Sequence, residues 1–311
     1  MAVAVRFDAR ISDDARRHGL FGGTVYIDAP TSAAVELCQF ARELIVEAFD
    51  GLDPETAQRE LPVERYVDIL VELKPRFIHH PQSKELLRAM LVERGCDPDL
   101  TYFDVPRLRT STSDGYLTSG IAYAWHPHRD TWYSAPLAQQ NFWMPVYDIT
   151  PTNAMALHLD HFEQVVPNTS AIYNYYEWNQ KHRRAAGSNV GAETRPLPGP
   201  TGELDLSNSA VFVMPVGGML QFSGHHLHSS VPNTSGVTRY SIDFRTVQLD
   251  DLRAGRGARN IDSACTGSSI RDFLRVSDLS PVPDDIVTLF DDGSEQSGEL
   301  VYAANLPVSS R

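Results

Sequence analysis

Between residues 101 and 248 the chain breaks into short β-branched and aromatic runs separated by turn residues: "TYFDVPRLRTST", "YLTSGIAYAWH", "QQNFWMPVYDI", "AMALHL", "AVFVMPV", "MLQFS" and "TRYSIDFRTV". Strands this short share one buried core only when they close on one another, so the pattern predicts a sandwich or barrel. In the last run Arg239, Ser241, Asp243 and Arg245 alternate with Tyr240, Ile242 and Phe244, which gives a strand one polar and one apolar face. Periodicity alone turns that polar face to water.

The first hundred residues read as helical, which makes the fold class α+β. "SAAVELCQFARELIVEAF" (32–49) sets Val35, Leu37, Phe40, Leu44, Ile45 and Phe49 near the spacing of one buried helix face. "LPVERYVDILVELKP" predicts a helix with Pro62 in its first turn that ends before Pro75. "PQSKELLRAMLVERG" predicts another, with Pro81 near its start and Gly95 just past its end. Strands begin at about residue 101. They are interrupted over about 165–209 by "NTSAIYNYYEWNQKHRR" and a Gly/Pro-rich run, an insertion whose length suits a lid, a binding loop or a disordered segment. The expected organisation over 1–311 is one catalytic domain, mainly helical over 1–100, stranded over 101–250, with a C-terminal extension over 251–311 that carries no clear element pattern.

Charge and composition exclude several functions. A net charge of -13 works against binding a phosphate backbone, so nucleic acid is not an expected partner. No stretch approaches the roughly 18 apolar residues of a membrane span, and Arg6 and Asp8 interrupt the N-terminus before any apolar signal region could form. No membrane partner and a cytoplasmic location are therefore expected. Cys38, Cys96 and Cys265 are far apart and form no C-x-x-C pair. Lysine occurs only at 74, 84 and 181, against 24 arginines, the usage of a high-GC bacterial genome. The phosphate-binding glycine motifs, G-x-S-x-G and H-E-x-x-H are all missing.

What remains is histidine. Five of the eleven lie in "WHPHRD" (125–130) and "GHHLH" (224–228). On an extended strand His128 and Asp130 would face the same side, where an imidazole and a carboxylate can take adjacent positions on a metal. A second histidine from a distant strand would complete a two-His, one-carboxylate facial triad of a non-haem Fe(II) oxygenase. Strand alternation leaves His226 and His228 tied for that role.

From His228 the chain continues through Ser230, Asn233, Ser235 and Arg239, as H-x-S-x-x-N-x-S-x-x-x-R. With His128-Arg129-Asp130 and "QQNFWMPVYDITPTNA" upstream in the same order, residues 101–248 resemble the phytanoyl-CoA dioxygenase-like family of Fe(II)/2-oxoglutarate oxygenases. The resemblance implies a double-stranded β-helix, a cupin-like jelly roll, flanked by the N-terminal helices. It implies His128, Asp130 and His228 as ligands of Fe(II), and Arg239 as the partner of the distal carboxylate of 2-oxoglutarate. A guanidinium suits that role as a planar bidentate clamp. Ser230 would add a hydroxyl, Trp143 a wall of the cosubstrate pocket, and Asn141 and Arg109 further polar contacts, with Arg107 the alternative to Arg109. The same spacing turns the polar face of the last strand into the barrel. The family's turn after the central strand, "NG...PGSH", is here "NAMALHLDHF", with Asn153 kept and the small residues lost.

The implied reaction activates O2 with decarboxylation of 2-oxoglutarate to succinate and CO2, and oxidises a small-molecule substrate. Hydroxylation is the default outcome, and Asp130 stands where halogenating relatives carry a small residue, which disfavours halogenation. Trp125, Trp132, Tyr133, His226 and Tyr175 are the candidate substrate contacts. The composition favours bacterial specialised metabolism, and the acidic balance an amine-bearing substrate. The alternatives are a metal cupin isomerase or cyclase that uses His126, His225 or His226 and no 2-oxoglutarate, and a non-catalytic β-barrel.

Overall fold

The computed structural model describes residues 3–122, 126–182 and 193–293. Its frame is the strand β10 (Arg239–Gln248), which pairs antiparallel with β5 (Gln140–Pro145) on one side and with β4 (Arg107–Ser111) and β3 (Thr101–Phe103) on the other. β5 pairs with β8 (Met219–Ser223), β8 with β2 (Val25–Asp28), and β2 lies parallel to β1 (Val5–Phe7). β11 (Leu274–Arg275) extends the far edge against β3, giving eight strands. A smaller sheet of β7 (Ala210–Phe212), β6 (Met155–Leu157) and β9 (His228–Ser230) faces it, with Trp143, Leu220 and Phe222 of one sheet packed against Leu157 and Phe212 of the other. The fold is α+β, a cupin-like double-stranded β-helix with helices on the outside of its larger sheet.

The alternation in β10 decides which face goes where. Tyr240, Ile242 and Phe244 are fully buried on the outer face. There, with Phe142 and Met144 of β5, they meet the apolar stripes of α2 (Ser32–Ala48), α3 (Val63–His79) and α4 (Pro81–Glu93). Phe244 lies opposite Phe142 in the register, and their rings stack at 4.6 Å between centroids. The intervening residues point inward, with Asp243 opposite Trp143 and Arg245 opposite Asn141. Burying the helical layer thus commits a row of charged side chains to the barrel interior.

Four expectations need correction. The first hundred residues are not all helix, because β1 and β2 complete one edge of the larger sheet. The signal was the β-branched run "TVYID" directly after Gly22-Gly23, where Gly23 has φ +90°. The helix α3 does not stop before Pro75 but runs through it to His79. Pro75 forfeits one helical hydrogen bond, while Leu70, Leu73 and Phe77 on the same helix are fully buried. It ends where Pro81 forces His80 into an extended conformation. "YLTSGIAYAWH" forms no strand in its described part; Gly120 at φ +60° starts a 3-10 turn over Gly120–Ala122. Finally, His128-Arg129-Asp130 is not a continuous strand, since Asp130 opens a 3-10 turn over Asp130–Tyr133.

The insertion over 165–209 contributes α5 (Tyr175–Lys181) in its described part. The C-terminal segment supplies α6 (Leu249–Arg253), β11 and α7 (Asp284–Val287), whose Leu252, Ile270, Phe273 and Ile286 form a second core with Tyr102, Ala138 and Val247. No described helix is long and apolar enough to cross a membrane. Because Phe244 joins the sheet to the helical layer, Phe244→Ala should cost about 3–5 kcal/mol in denaturant unfolding, and Phe244→Leu clearly less.

Candidate metal centre and its cavity

The two histidine windows meet through the backbone. His128 and His228 form an antiparallel bridge, exchanging hydrogen bonds of 3.0 and 2.9 Å between their main-chain groups. Arg129 holds the windows together from behind. Its fully buried guanidinium donates to the carbonyls of His225, His161 and Gln164 and pairs with Asp262 at 3.0 Å. Asp262 also accepts from the Trp132 indole at 2.8 Å.

This places His128, Asp130 and His228 with one potential ligand atom each within 4.8 Å of one another, all three buried. The imidazoles are oriented by their own chain. His128 Nδ1 lies 2.8 Å from the His126 carbonyl, and His228 Nδ1 lies 2.9 Å from that of His226. A carbonyl can only accept, so each Nδ1 carries the proton and each Nε2 presents a lone pair. Those two Nε2 atoms lie 3.6 and 3.8 Å from the same oxygen, Asp130 Oδ1. Burial, then the neighbouring His128, pushes the His228 pKa down to about 3, so its ring is neutral at physiological pH.

The other Asp130 oxygen is held by the protein. Oδ2 accepts from Gln139 Nε2 at 2.9 Å, Asn141 Nδ2 at 2.9 Å and Arg245 Nε at 3.2 Å. Burial works to raise the Asp130 pKa, but the neighbouring His128 and His228 and the Asn141 bond outweigh it and hold the carboxyl at about 2. Gly224 leaves room for this arrangement, since a Cβ there would sit 3.2 Å from Gln139 Nε2. Two neutral nitrogens and one anionic oxygen, each with its outer atoms fixed, suit a divalent first-row metal bound on one face.

The triad opens onto a cavity of about 360 Å³. Arg239, only 5 % exposed, lines it; Nη1 donates to the carbonyls of Asn153 and Ala154, and Nη2 to Ser230 Oγ at 3.3 Å. The guanidinium carbon sits 5.6 Å from the centre of the Trp143 ring. Nε has no partner and no carboxylate pairs with this guanidinium among the described residues. Burial pulls its pKa down to about 10, with Arg109 adding to the fall and Asp243 only partly opposing it. Asn233 and Ser235 shape the turn between β9 and β10: Asn233 donates to the Ser111 and Val237 carbonyls, and Ser235 donates to Asn233 Oδ1.

Other sequence-selected residues fall on both sides of the cavity wall. Tyr133 and Tyr175 line it, and the Tyr133 ring stands edge-on to His128 at 5.5 Å. Arg107 and Arg109 both line it, Arg107 paired with Asp104 at 2.6 Å and Arg109 gripping Asp243 through two bonds of 2.9 and 3.1 Å. Asn141 holds the metal-facing carboxylate instead of reaching into the cavity. Trp132 is not a substrate contact: it is fully buried against Val166 and Leu227. His226 is not one either, because its Nε2 bonds the Gly23 carbonyl and its ring packs on Phe162. His225 also packs on Phe162, so neither neighbour joins the triad. Trp125 lies outside the described residues.

Sequence reasoning missed Gln139 as a carboxylate anchor and Asp262 as the brace behind Arg129. Gln139 carries no signal, being one amide in "AQQN". Arg245 was detectable, since it shares the inward face of β10 with Arg239.

No protein-family profile matches the chain, and no curated protein matches it. Among solved structures, EvdO2 from Micromonospora carbonacea var. aurantiaca, complexed with 2-oxoglutarate, aligns at 14% identity over 80% of this chain and 94% of its own, with a TM-score of 0.44. EctD from S. alaskensis in its apo form aligns at 14% identity over 80% and 82%, TM-score 0.40. The non-heme alpha ketoglutarate dependent epimerase SnoN from nogalamycin biosynthesis aligns at 13% identity over 85% and 100%, TM-score 0.37.

Removing the Arg245 charge should loosen the carboxylate while leaving all three candidate ligands present. Arg245→Gln is expected to lower Co(II) or Ni(II) affinity by roughly 10- to 100-fold, read by metal titration, with Arg245→Lys closer to the original.

Proposed function

We propose that the chain is an Fe(II)/2-oxoglutarate-dependent oxygenase resembling the phytanoyl-CoA dioxygenase-like family, one catalytic domain acting on a small molecule with O2 as co-substrate. The observation that carries this reading is Arg239. A buried guanidinium with an open Nε and no carboxylate, on the wall of a cavity shared with a His-Asp-His triad, fits the distal carboxylate of a dicarboxylic keto acid.

In this reading His128 Nε2, His228 Nε2 and Asp130 Oδ1 hold the iron. Bound there, Fe(II) supplies coupled decarboxylation of 2-oxoglutarate to succinate and CO2 with oxidation of the substrate. Arg239 fixes one end of the cosubstrate, and Ser230, already bonded to Arg239, adds a hydroxyl beside the same carboxylate. Trp143 closes the pocket floor under the guanidinium. Tyr173, Tyr175 and Trp178 of the insertion line the cavity, and the Tyr175 hydroxyl donates to Asp272 of the C-terminal segment. Hydroxylation is the default outcome, in bacterial specialised metabolism and in the cytoplasm. The histidine-richer site of a 2-oxoglutarate-independent cupin finds no support, with His225 and His226 turned into packing.

Succinate formation should require both Fe(II) and O2 and disappear in Asp130→Ala and His228→Ala, measured by succinate release under air and under nitrogen. Arg239→Ala should weaken 2-oxoglutarate binding by ~2–5 kcal/mol, as when one partner of a buried charge pair is removed. The anaerobic visible charge-transfer band of the Fe(II) protein reports this; unchanged binding would overturn the reading.

A further inference from the structure

The cavity holds a second cation without an anion. Lys74, on α3, lines it together with Arg109, and its Nζ donates to the Ile121 carbonyl. Every other cavity cation except Arg239 has a carboxylate. Arg107 pairs with Asp104 at 2.6 Å, Arg109 with Asp243 at 2.9 Å, Arg195 with Glu193 at 2.6 Å, and Arg245 with Asp130 at 3.2 Å. Asp272, the remaining acid, accepts the Tyr175 hydroxyl. Lys74 and Arg239 are thus the two cavity cations with no carboxylate within ion-pair distance among the described residues.

Arg109 makes the shortage sharper, because its charge bears on both Lys74 and Arg239, with Asp243 as the shared counterweight. Burial first, and Arg109 second, pulls the Lys74 pKa down to about 7. A desolvated ammonium in that state gains its charge back when an anion arrives. One carboxylate of the cosubstrate answers Arg239, and its other end belongs at the metal. Lys74 is left for the substrate.

We propose that Lys74, with Arg109 beside it, binds an anionic headgroup of the substrate, a carboxylate or a phosphate, so that the enzyme oxidises an anionic small molecule. This rests on the oxygenase reading for the identity of the site. The substrate body then lies against Ile78, Ile121 and Leu197, apolar residues of the same cavity. The amine expected from the overall acidic balance gives way here, since net surface charge does not report the charge inside a cavity that arginines dominate.

Calorimetry on the Ni(II)-loaded, 2-oxoglutarate-bound protein tests this with benzoate, phenyl phosphate and benzylammonium, three probes sharing one ring. At least one of the two anions should bind saturably and benzylammonium should not, and comparing the two anions separates carboxylate from phosphate recognition. Lys74→Gln should weaken the binding anion by roughly thirty-fold or more and leave 2-oxoglutarate affinity unchanged, while Lys74→Arg should retain anion binding. The proposal is overturned if neither anion binds, if benzylammonium binds as well, if Lys74→Gln binds the anion like the original, or if Lys74→Gln loses 2-oxoglutarate instead. Should Lys74→Gln fail to fold, 13C reductive methylation keeps the charge and labels the three lysines. The Lys74 signal alone should then shift on addition of the anion, and no shift overturns the assignment. If the protein binds benzoate through Lys74 but never 2-oxoglutarate, the oxygenase reading falls and the anion site stands.

Discussion

The two oxygens of Asp130 face different tasks, and much of the interior is arranged around keeping them apart. One points at two imidazole lone pairs. The other is occupied by an amide from Gln139, an amide from Asn141 and the Arg245 guanidinium. A carboxylate with both oxygens unrestrained could rotate or protonate. Held this way, it offers one anionic oxygen in one direction, and the His128–His228 bridge brings the nitrogens to it from two distant parts of the chain.

That arrangement explains why the core of β10 is charged on one side. Arg239, Ser241, Asp243 and Arg245 follow at every second position of a strand whose other face is fully buried beneath helices. The helical layer holds the strand in place through aromatic and aliphatic contact, so the inward side chains need contribute nothing to that packing. Asp243 and Arg245 join instead a chain of ion pairs with Asp104, Arg107 and Arg109, which crowds charge into a small volume and leaves Arg239 outside it. Buried pairs of this kind add little net stability; what they supply here is orientation, with Arg245 aimed at the Asp130 carboxylate and Arg109 held on Asp243.

The C-terminal segment belongs to the site although no motif marks it. Asp262 braces Arg129 and Trp132 behind the triad, and Asp272 receives the Tyr175 hydroxyl above the cavity. Asn174, which caps α5, bonds Thr266 and Asp292 of the same segment. The described part of the insertion is therefore tied down by residues about a hundred positions later in the chain.

The sequence by itself determined the strands and helices whose pattern repeats along the chain: the alternation in β10, the amphipathic stripes of α2 and α4, the Pro81 start and the Gly95 stop. It also singled out His128, Asp130, His228 and Arg239, because their spacing is local within two short windows and matches one known pattern. It did not reveal β1 and β2, which are three and four residues long and stable only as the edge of a sheet built elsewhere. Nor could it decide that Pro75 sits inside a helix, since the burial that holds α3 together depends on a sheet from another part of the chain. The roles of Asn141, Gln139 and Asp262 were decided by tertiary structure alone. Each is defined by the side chain it bonds, Asp130 for the first two and Arg129 for the third, and a side chain's partner in space leaves no trace in its neighbours along the chain.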